Sequence, residues 1–124
     1  MQLNPEYSNI YNTVFDFFDK KIEILSRKGI FNIIIDPGFG FGKTIDHNFE
    51  LLEKLNDFKV FKKPILVGLS RKSMIYKYLS LTPKDALNGT TTLNTIALEK
   101  GANILRVHDV KEANECKKLL EKLN

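Results

Sequence analysis

Cysteine is almost missing from this 124-residue chain: the single Cys116 excludes an internal disulfide framework and fits a reducing, cytoplasmic setting. No run approaches the roughly 18 apolar residues that a membrane span needs. The opening Met1-Gln2-Leu3-Asn4-Pro5-Glu6 has neither the basic nor the apolar part of a secretory signal. There is no Cys/His cluster spaced for zinc, no Ser-x-x-Lys and no Gly-x-Ser-x-Gly, so no covalent nucleophile is expected. Low-complexity stretches and linkers are absent too, which leaves one domain over 1–124. The excess of positive charge is small, +4, and the lysines alternate with Glu and Asp. A nucleic-acid stripe would cluster them with aromatics. This surface is a solvated one that can still draw anionic ligands towards a cleft.

The hydrophobic pattern predicts alternating helices and strands. Ile10, Val14, Phe17, Phe18, Ile22 and Leu25 give a helix over 6–28 one apolar face. Residues 31–35, a continuous Ile-rich run, read as a strand buried on both faces. A glycine-rich turn covers 36–43. A second helix over 46–58 turns Phe49, Leu52 and Leu55 inward. A strand opens at Pro64 and runs to about Leu69, followed by a short helix over 72–79. Thr82-Pro83-Lys84-Asp85 starts a longer helix to about Lys100, weakened in its middle by Asn88-Gly89-Thr90-Thr91-Thr92. The third strand is 103–107, and Asp109 caps a final helix that carries Ala113, Cys116, Leu119, Leu120 and Leu123 on one side. Strands joined by helices of this length are parallel, with right-handed crossovers. The class is therefore α/β, with three parallel strands and flanking helices. Three strands are few for a doubly wound sheet, and an eight-stranded barrel needs about 250 residues. Residues 1–5 read as the tail of a strand and its loop. The expectation is part of a larger α/β fold.

Each strand ends in polar residues. Asp36-Pro37-Gly38-Phe39-Gly40-Phe41-Gly42-Lys43-Thr44 invites a nucleotide reading that its spacing denies. A phosphate loop needs glycine six positions before its lysine, and Pro37 stands there without an N–H. Asp36 sits instead where α/β sites form and suits the N–H and amino edge of a guanine-like or pterin ring, or else caps the turn. In Gly68-Leu69-Ser70-Arg71-Lys72-Ser73, two adjacent cations follow an apolar strand. Lys72 can donate to a ring carbonyl or nitrogen, with Arg71 and Ser70 as weaker candidates, unless the loop is merely solvated. In Leu105-Arg106-Val107-His108-Asp109, alternation puts Arg106 and His108 on one side, a fitting clamp for a diphosphate, unless the arginine serves a structural carboxylate. His47, at a helix start, has no partner in the pattern and reads as surface.

The segments "DPGFGFGKT", "PILVGLSRKSMI" and "ILRVHDVKE", in this order, resemble the C-terminal half of dihydropteroate synthase. The resemblance runs from "MQLNP" to the last helix and implies a partial pterin-binding domain over 1–124. It further implies the C-terminal half of a TIM-type (β/α)8 barrel, from the end of the fifth strand through the eighth helix. The family joins 4-aminobenzoate to 6-hydroxymethyl-7,8-dihydropterin diphosphate, giving 7,8-dihydropteroate and diphosphate in folate biosynthesis. Sulfonamides compete with the aminobenzoate. Carried over, Asp36, Lys72 and Arg106 would bind the pterin. Phe41, Ser70 and Arg71 would lie at the aminobenzoate pocket. Arg106 and His108 would bind the diphosphate, and Lys72, Arg106 and His108 would be the catalytic set. Mg2+ is implied, with its ligand in the missing N-terminal half and no metal ligand in this chain. So is a homodimer when the protein is complete. The first four strands, an Asp and an Asn of the pterin pocket and two early loops are missing, so the chain alone is expected to be inactive. The alternative is a non-catalytic pterin- or diphosphate-binding half-barrel that needs a partner half.

Overall fold

The computed structural model describes residues 9–124, so the expected strand tail at residues 1–5 lies outside the described residues. Helix α1 is Ile10–Arg27. Asn9 caps it by accepting from the Asn12 N–H at 3.0 Å. It closes where the Ile30 N–H reaches back to the Leu25 carbonyl at 2.9 Å across Gly29, a turn that uses the glycine's φ of 77°. Helix α2, Ile45–Glu53, gives way to a 3-10 helix, Leu55–Phe61, where one α-helix was expected to 58. The threefold repeat stacks Leu55 and Phe58 on one side, both 0% exposed. Within α2 Asn48, Leu51 and Leu52 are buried, and Phe49 is half-buried and packs against the core as expected. Strand β1 is Leu66–Val67 and α3 is Ser73–Tyr76. The helix expected over 82–100 is divided into a 3-10 turn, Pro83–Asp85, and α4, Leu87–Glu99. Strand β2, Ile104–Leu105, and α5, Val110–Leu123, complete the chain.

β1 and β2 are parallel, with Leu66 opposite Ile104 and Val67 opposite Leu105. The expected third strand at 31–35 is reduced to one parallel bridge, Ile35 to Ile65. Its direction and neighbour agree with expectation, but its burial does not. Ile35 is 1% exposed, whereas Phe31 is 60% and Ile34 55% exposed. Strand structure comes from paired neighbours, and this segment has one neighbour and a free edge among the described residues. The three segments thus lie side by side with their carboxyl ends together.

The core fills the space between β1 and the helices. Ile65, Val67 and Leu69 point into it with Phe39, Leu51, Leu55, Phe58 and Met74, while the alternate Leu66, Gly68 and Ser70 line the opposite face. Gly89, near the start of α4, lets α3 approach. A Cβ there would stand 2.5 Å from Ile75 Cγ2. Gly89→Ala is expected to cost about 1–2 kcal/mol net, overpacking outweighing the gain in helix propensity. Urea unfolding of Gly89→Ala in the wild-type and Ile75→Ala backgrounds checks this. An equal penalty in both would show that Ile75 is not the obstacle.

Candidate functional site

A cleft of about 440 Å³ opens at the carboxyl ends of the three segments, lined by Asp36, Phe41, Ser70, Lys72, Arg106 and His108 among others. That size suits a small heterocycle with a charged tail. Six of the seven residues singled out from the sequence meet here, and Arg71 lines an adjoining cavity of about 420 Å³ that shares Phe41 and Lys72 with the cleft. Val107 also lines the cleft, so strand alternation does not turn it fully away.

Asp36 follows the bridged Ile35. One carboxylate oxygen, Oδ1, accepts from the Gly38 N–H at 2.9 Å. A carboxylate offers about four lone-pair sites, so this turn bond leaves acceptor capacity for a ligand. The capping and binding readings of Asp36 are therefore compatible. The glycine-rich loop beyond it is held from two sides. Lys43 Nζ donates to the Gly38 carbonyl at 2.7 Å, a clasp on the loop in place of the phosphate contact a nucleotide loop would make. Asn48, 1% exposed, accepts from the Gly40 N–H at 2.8 Å and donates to the Thr44 carbonyl at 2.9 Å. Gly40 has φ 97°, which favours glycine, and lies in ordinary contact range of the Lys72 stem.

Lys72 is the hinge of the site. Its Nζ donates to the Phe39 carbonyl at 2.6 Å and lies 5.1 Å from the centre of the Phe41 ring. Burial pushes its pKa below the ordinary lysine value; Asp36 opposes that shift and Arg106 adds to it. Lys43 is lowered in the same way, by burial first and then by Lys72, against Asp36. Phe41 itself is 73% exposed, a large apolar ring standing free at the mouth of the cleft.

The two arginines have opposite situations. Arg71 is engaged. Its Nε and Nη2 donate to both Asp109 oxygens at 2.9 and 3.1 Å, and its Nη1 to the carbonyls of Pro83 and Lys84 at 2.7 and 2.9 Å. The hydrogen bond to Asp109 raises the Arg71 pKa and holds the carboxyl below the usual carboxylate range. Arg71 has φ 54°, and its N–H is satisfied by buried Thr90 Oγ1 at 2.9 Å. This corrects the expectation for Asp109 and bears on the alternative weighed for Arg106. Asp109 stands at the N-cap position of α5, but its side chain bonds no helix N–H and serves Arg71 instead. The arginine paired with a structural carboxylate is Arg71, not Arg106. The Arg106 side chain has no ion pair or hydrogen bond among the described residues, and its stem passes over Gly68. Beside it, His108 Nδ1 lies 2.8 Å from Ser70 Oγ, and the His108 N–H donates to the same oxygen at 3.2 Å.

His47, read as surface without a partner, is part of a capping box at the start of α2. Its N–H donates to Thr44 Oγ1 at 3.0 Å, and its Nδ1 accepts from the Thr44 N–H at 3.3 Å. Asn48 and Thr90, which hold the two site loops, were not singled out. The signal for Asn48 was its place on the Asn48-Leu51-Leu52-Leu55 stripe, a polar residue where the helical period calls for an apolar one. Among the described residues no group of three or more His, Cys, Asp or Glu could hold a metal ion, and within the cleft only Asp36 and His108 are of those types. These residues do not by themselves fit a bound metal. No helix among the described residues is long and apolar enough to cross a membrane.

Comparison with known proteins agrees with the geometry. The family described as pterin binding enzyme matches residues 1–108. Dihydropteroate synthase of Escherichia coli (strain K12) is 42% identical over 123 residues, covering 98% of this chain and 44% of that protein. The bifunctional dihydropteroate synthase/dihydropteroate reductase of Helicobacter pylori is also 42% identical, over 99% of this chain and 32% of its own length. Among solved structures, Yersinia pestis dihydropteroate synthase superposes with a TM-score of 0.93 at 40% identity, over 99% of this chain and 51% of that one. The Xanthomonas albilineans enzyme in complex with 7,8-dihydropteroate gives 0.91 at 32%, over 96% of this chain and 47% of that one. The chain spans about half the length, or less, of these relatives. Its α/β fold, its cleft and its sequence together show that it belongs to the family of pterin binding enzymes.

Proposed function

We propose that the chain is the C-terminal half of a TIM-type (β/α)8 barrel and carries the matching half of a dihydropteroate synthase site. The observation that carries this reading is Arg106, without a side-chain partner among the described residues, lining one cleft with Lys72, His108 and Asp36. A cationic wall facing a carboxylate suits a ligand with an anionic tail and a ring edge rich in N–H groups. Asp36 accepts from the pterin N–H and amino group, and Lys72 donates to a ring carbonyl or nitrogen. Arg106 and His108 take the diphosphate. Phe41 stands where the aminobenzoate enters, and Arg71, paired with Asp109, lines the adjoining cavity beside it.

In the reaction so read, the bond between the pterin methylene carbon and the diphosphate oxygen breaks, and its electron pair leaves with the diphosphate. Arg106 and His108 stabilise that charge as it develops. The neutral amine of 4-aminobenzoate forms the new C–N bond and releases a proton to solvent. In the complete protein the reading adds a homodimer, a cytoplasmic location and competition by sulfonamides. Mg2+ would accompany the diphosphate through ligands outside this chain, and no step above passes through it.

A second reading is a non-catalytic half-barrel that binds pterin or diphosphate and needs a partner half. The exposure of Phe31 and Ile34 on the free edge favours it. Dihydropteroate formation separates the two. The chain alone is expected to turn over no faster than its Lys72→Ala variant. Mixed with a separately expressed N-terminal half of the Escherichia coli relative, it is expected to gain activity that Lys72→Ala abolishes. Turnover by the chain alone would sink the half-site reading. Retained diphosphate binding with no activity in the mixture would favour the second.

A further inference from the structure

The two paired strands stay in register well beyond their backbone ladder, through side chains. Leu66 faces Ile104 and Val67 faces Leu105. The same offset of 38 residues appears before the ladder, where the Ile65 N–H donates to Asn103 Oδ1 at 3.0 Å. It reappears where the Arg106 stem covers Gly68. It continues at Ser70 with His108 and at Arg71 with Asp109, each pair 38 residues apart. Loops that leave strands are ordinarily more mobile than the strands themselves. Here two consecutive side-chain rungs take over where the backbone bonds stop, and His108 belongs to the first of them.

The first rung has a chemical consequence. Ser70 is 4% exposed, so water offers its hydroxyl little. A serine hydroxyl has one hydrogen to donate and two lone pairs. One lone pair receives the His108 N–H. If His108 Nδ1 also carried a hydrogen, the oxygen would face two donors, and its own hydrogen would have no acceptor among the described residues. A buried donor left unmade is disfavoured. If the hydroxyl donates to Nδ1, every group is satisfied and the ring hydrogen sits on Nε2. We propose that Ser70 is a positioning residue that fixes His108 as the Nε2–H tautomer and so presents an N–H to the cleft. The opposite tautomer would present a lone pair there, which repels an anion. The use of that N–H rests on the reading of His108 as a diphosphate ligand; the fixing of the tautomer does not.

The chain has two histidines, so imidazole-15N labelling of the whole chain gives two separable sets of long-range 1H–15N correlations. In the unsubstituted chain at a pH where the ring is neutral, His108 is expected to show a pyridine-like Nδ1 and a pyrrole-like Nε2. Ser70→Ala is expected to move both signals towards the averaged tautomers of free imidazole, and Ser70→Thr, which keeps the hydroxyl, to restore them. His47, fixed through Thr44, reports whether α2 remains folded in each variant. Should Ser70→Ala unfold the chain, the unsubstituted chain and Ser70→Thr decide. A hydrogen on Nδ1, or a tautomer mixture in the unsubstituted chain, would overturn the proposal, as would signals indifferent to Ser70→Ala in a folded chain. Inorganic diphosphate is then titrated. It is expected to shift the His108 signals and to bind roughly threefold to tenfold more weakly to Ser70→Ala. A fixed tautomer with no response to diphosphate would uphold the role of Ser70 and count against the diphosphate reading, so the two failures are distinct.

Discussion

Phe58→Ala is expected to lower the folding stability of this chain by about 3–5 kcal/mol, among the largest effects of any single truncation. Phe58 is 0% exposed and is the ring on which α1 is seated. Its centroid lies 5.5 Å from Tyr11, 6.1 Å from Phe15 and 5.6 Å from Phe18, the last at an edge-to-face angle of 84°. Helix α1 has one fully buried residue of its own, Ile10. Its attachment therefore depends on this aromatic cluster rather than on a broad apolar face. Removing the ring leaves a cavity under three aromatics that cannot all move in, because each is tied to a different turn of one helix. The loss should appear as a lower urea midpoint and as early hydrogen exchange confined to α1. Phe17→Ala is the control. Phe17 is 56% exposed and should cost no more than about 0.5 kcal/mol. Equal losses for the two variants would mean that α1 is held by something other than Phe58.

That cluster also marks how far the sequence can be read. The helices were legible because an apolar period of 3.6 is a property of the segment itself. Their interruptions, at Lys54 and Ala86, were not, since a tighter turn is chosen by what it packs against. The strand over 31–35 was overread for a related reason. An isoleucine run reads as buried on both faces, but burial needs a neighbour on each side, and the segment has one. The meeting of Asp36, Lys72, Arg106 and His108 was legible because parallel strands joined by helices bring their carboxyl ends together. What each charged group does there was not. Arg71 and Arg106 look alike in sequence, and only the offset of 38 residues between β1 and β2 puts Asp109 against the first and leaves the second open. The buried amide of Asn48 and the hydroxyl of Thr90 were hidden in the same way, since their partners are backbone groups in loops.

Arg106→Ala is expected to weaken the binding of inorganic diphosphate by about tenfold to a hundredfold, the range for a lost charge-assisted contact. The argument turns on what the guanidinium lacks. Arg71 has committed four of its five N–H donors to Asp109 and two carbonyls, so its charge is paired within the fold. Among the described residues Arg106 has no such bond to give up, so an anion entering the cleft meets a donor that need not first break a contact. Lys72 adds positive charge nearby, and the two cations lack a carboxylate partner as close as Asp109 is to Arg71. Such a pair is costly until an anion arrives and favourable afterwards. Arg106→Lys should recover only part of the affinity, because a lysine cannot make the planar two-point contact. Isothermal titration at low and high salt checks the origin of the effect, since an electrostatic clamp loses affinity as salt rises and the Ala variant should lose less. The comparison with Arg71→Ala is the sharper one. That variant is expected to lose stability first, and to lose diphosphate affinity only as far as its fold loosens around His108. If Arg71→Ala abolished binding in a folded chain while Arg106→Ala did not, the two arginines would have been assigned the wrong way round.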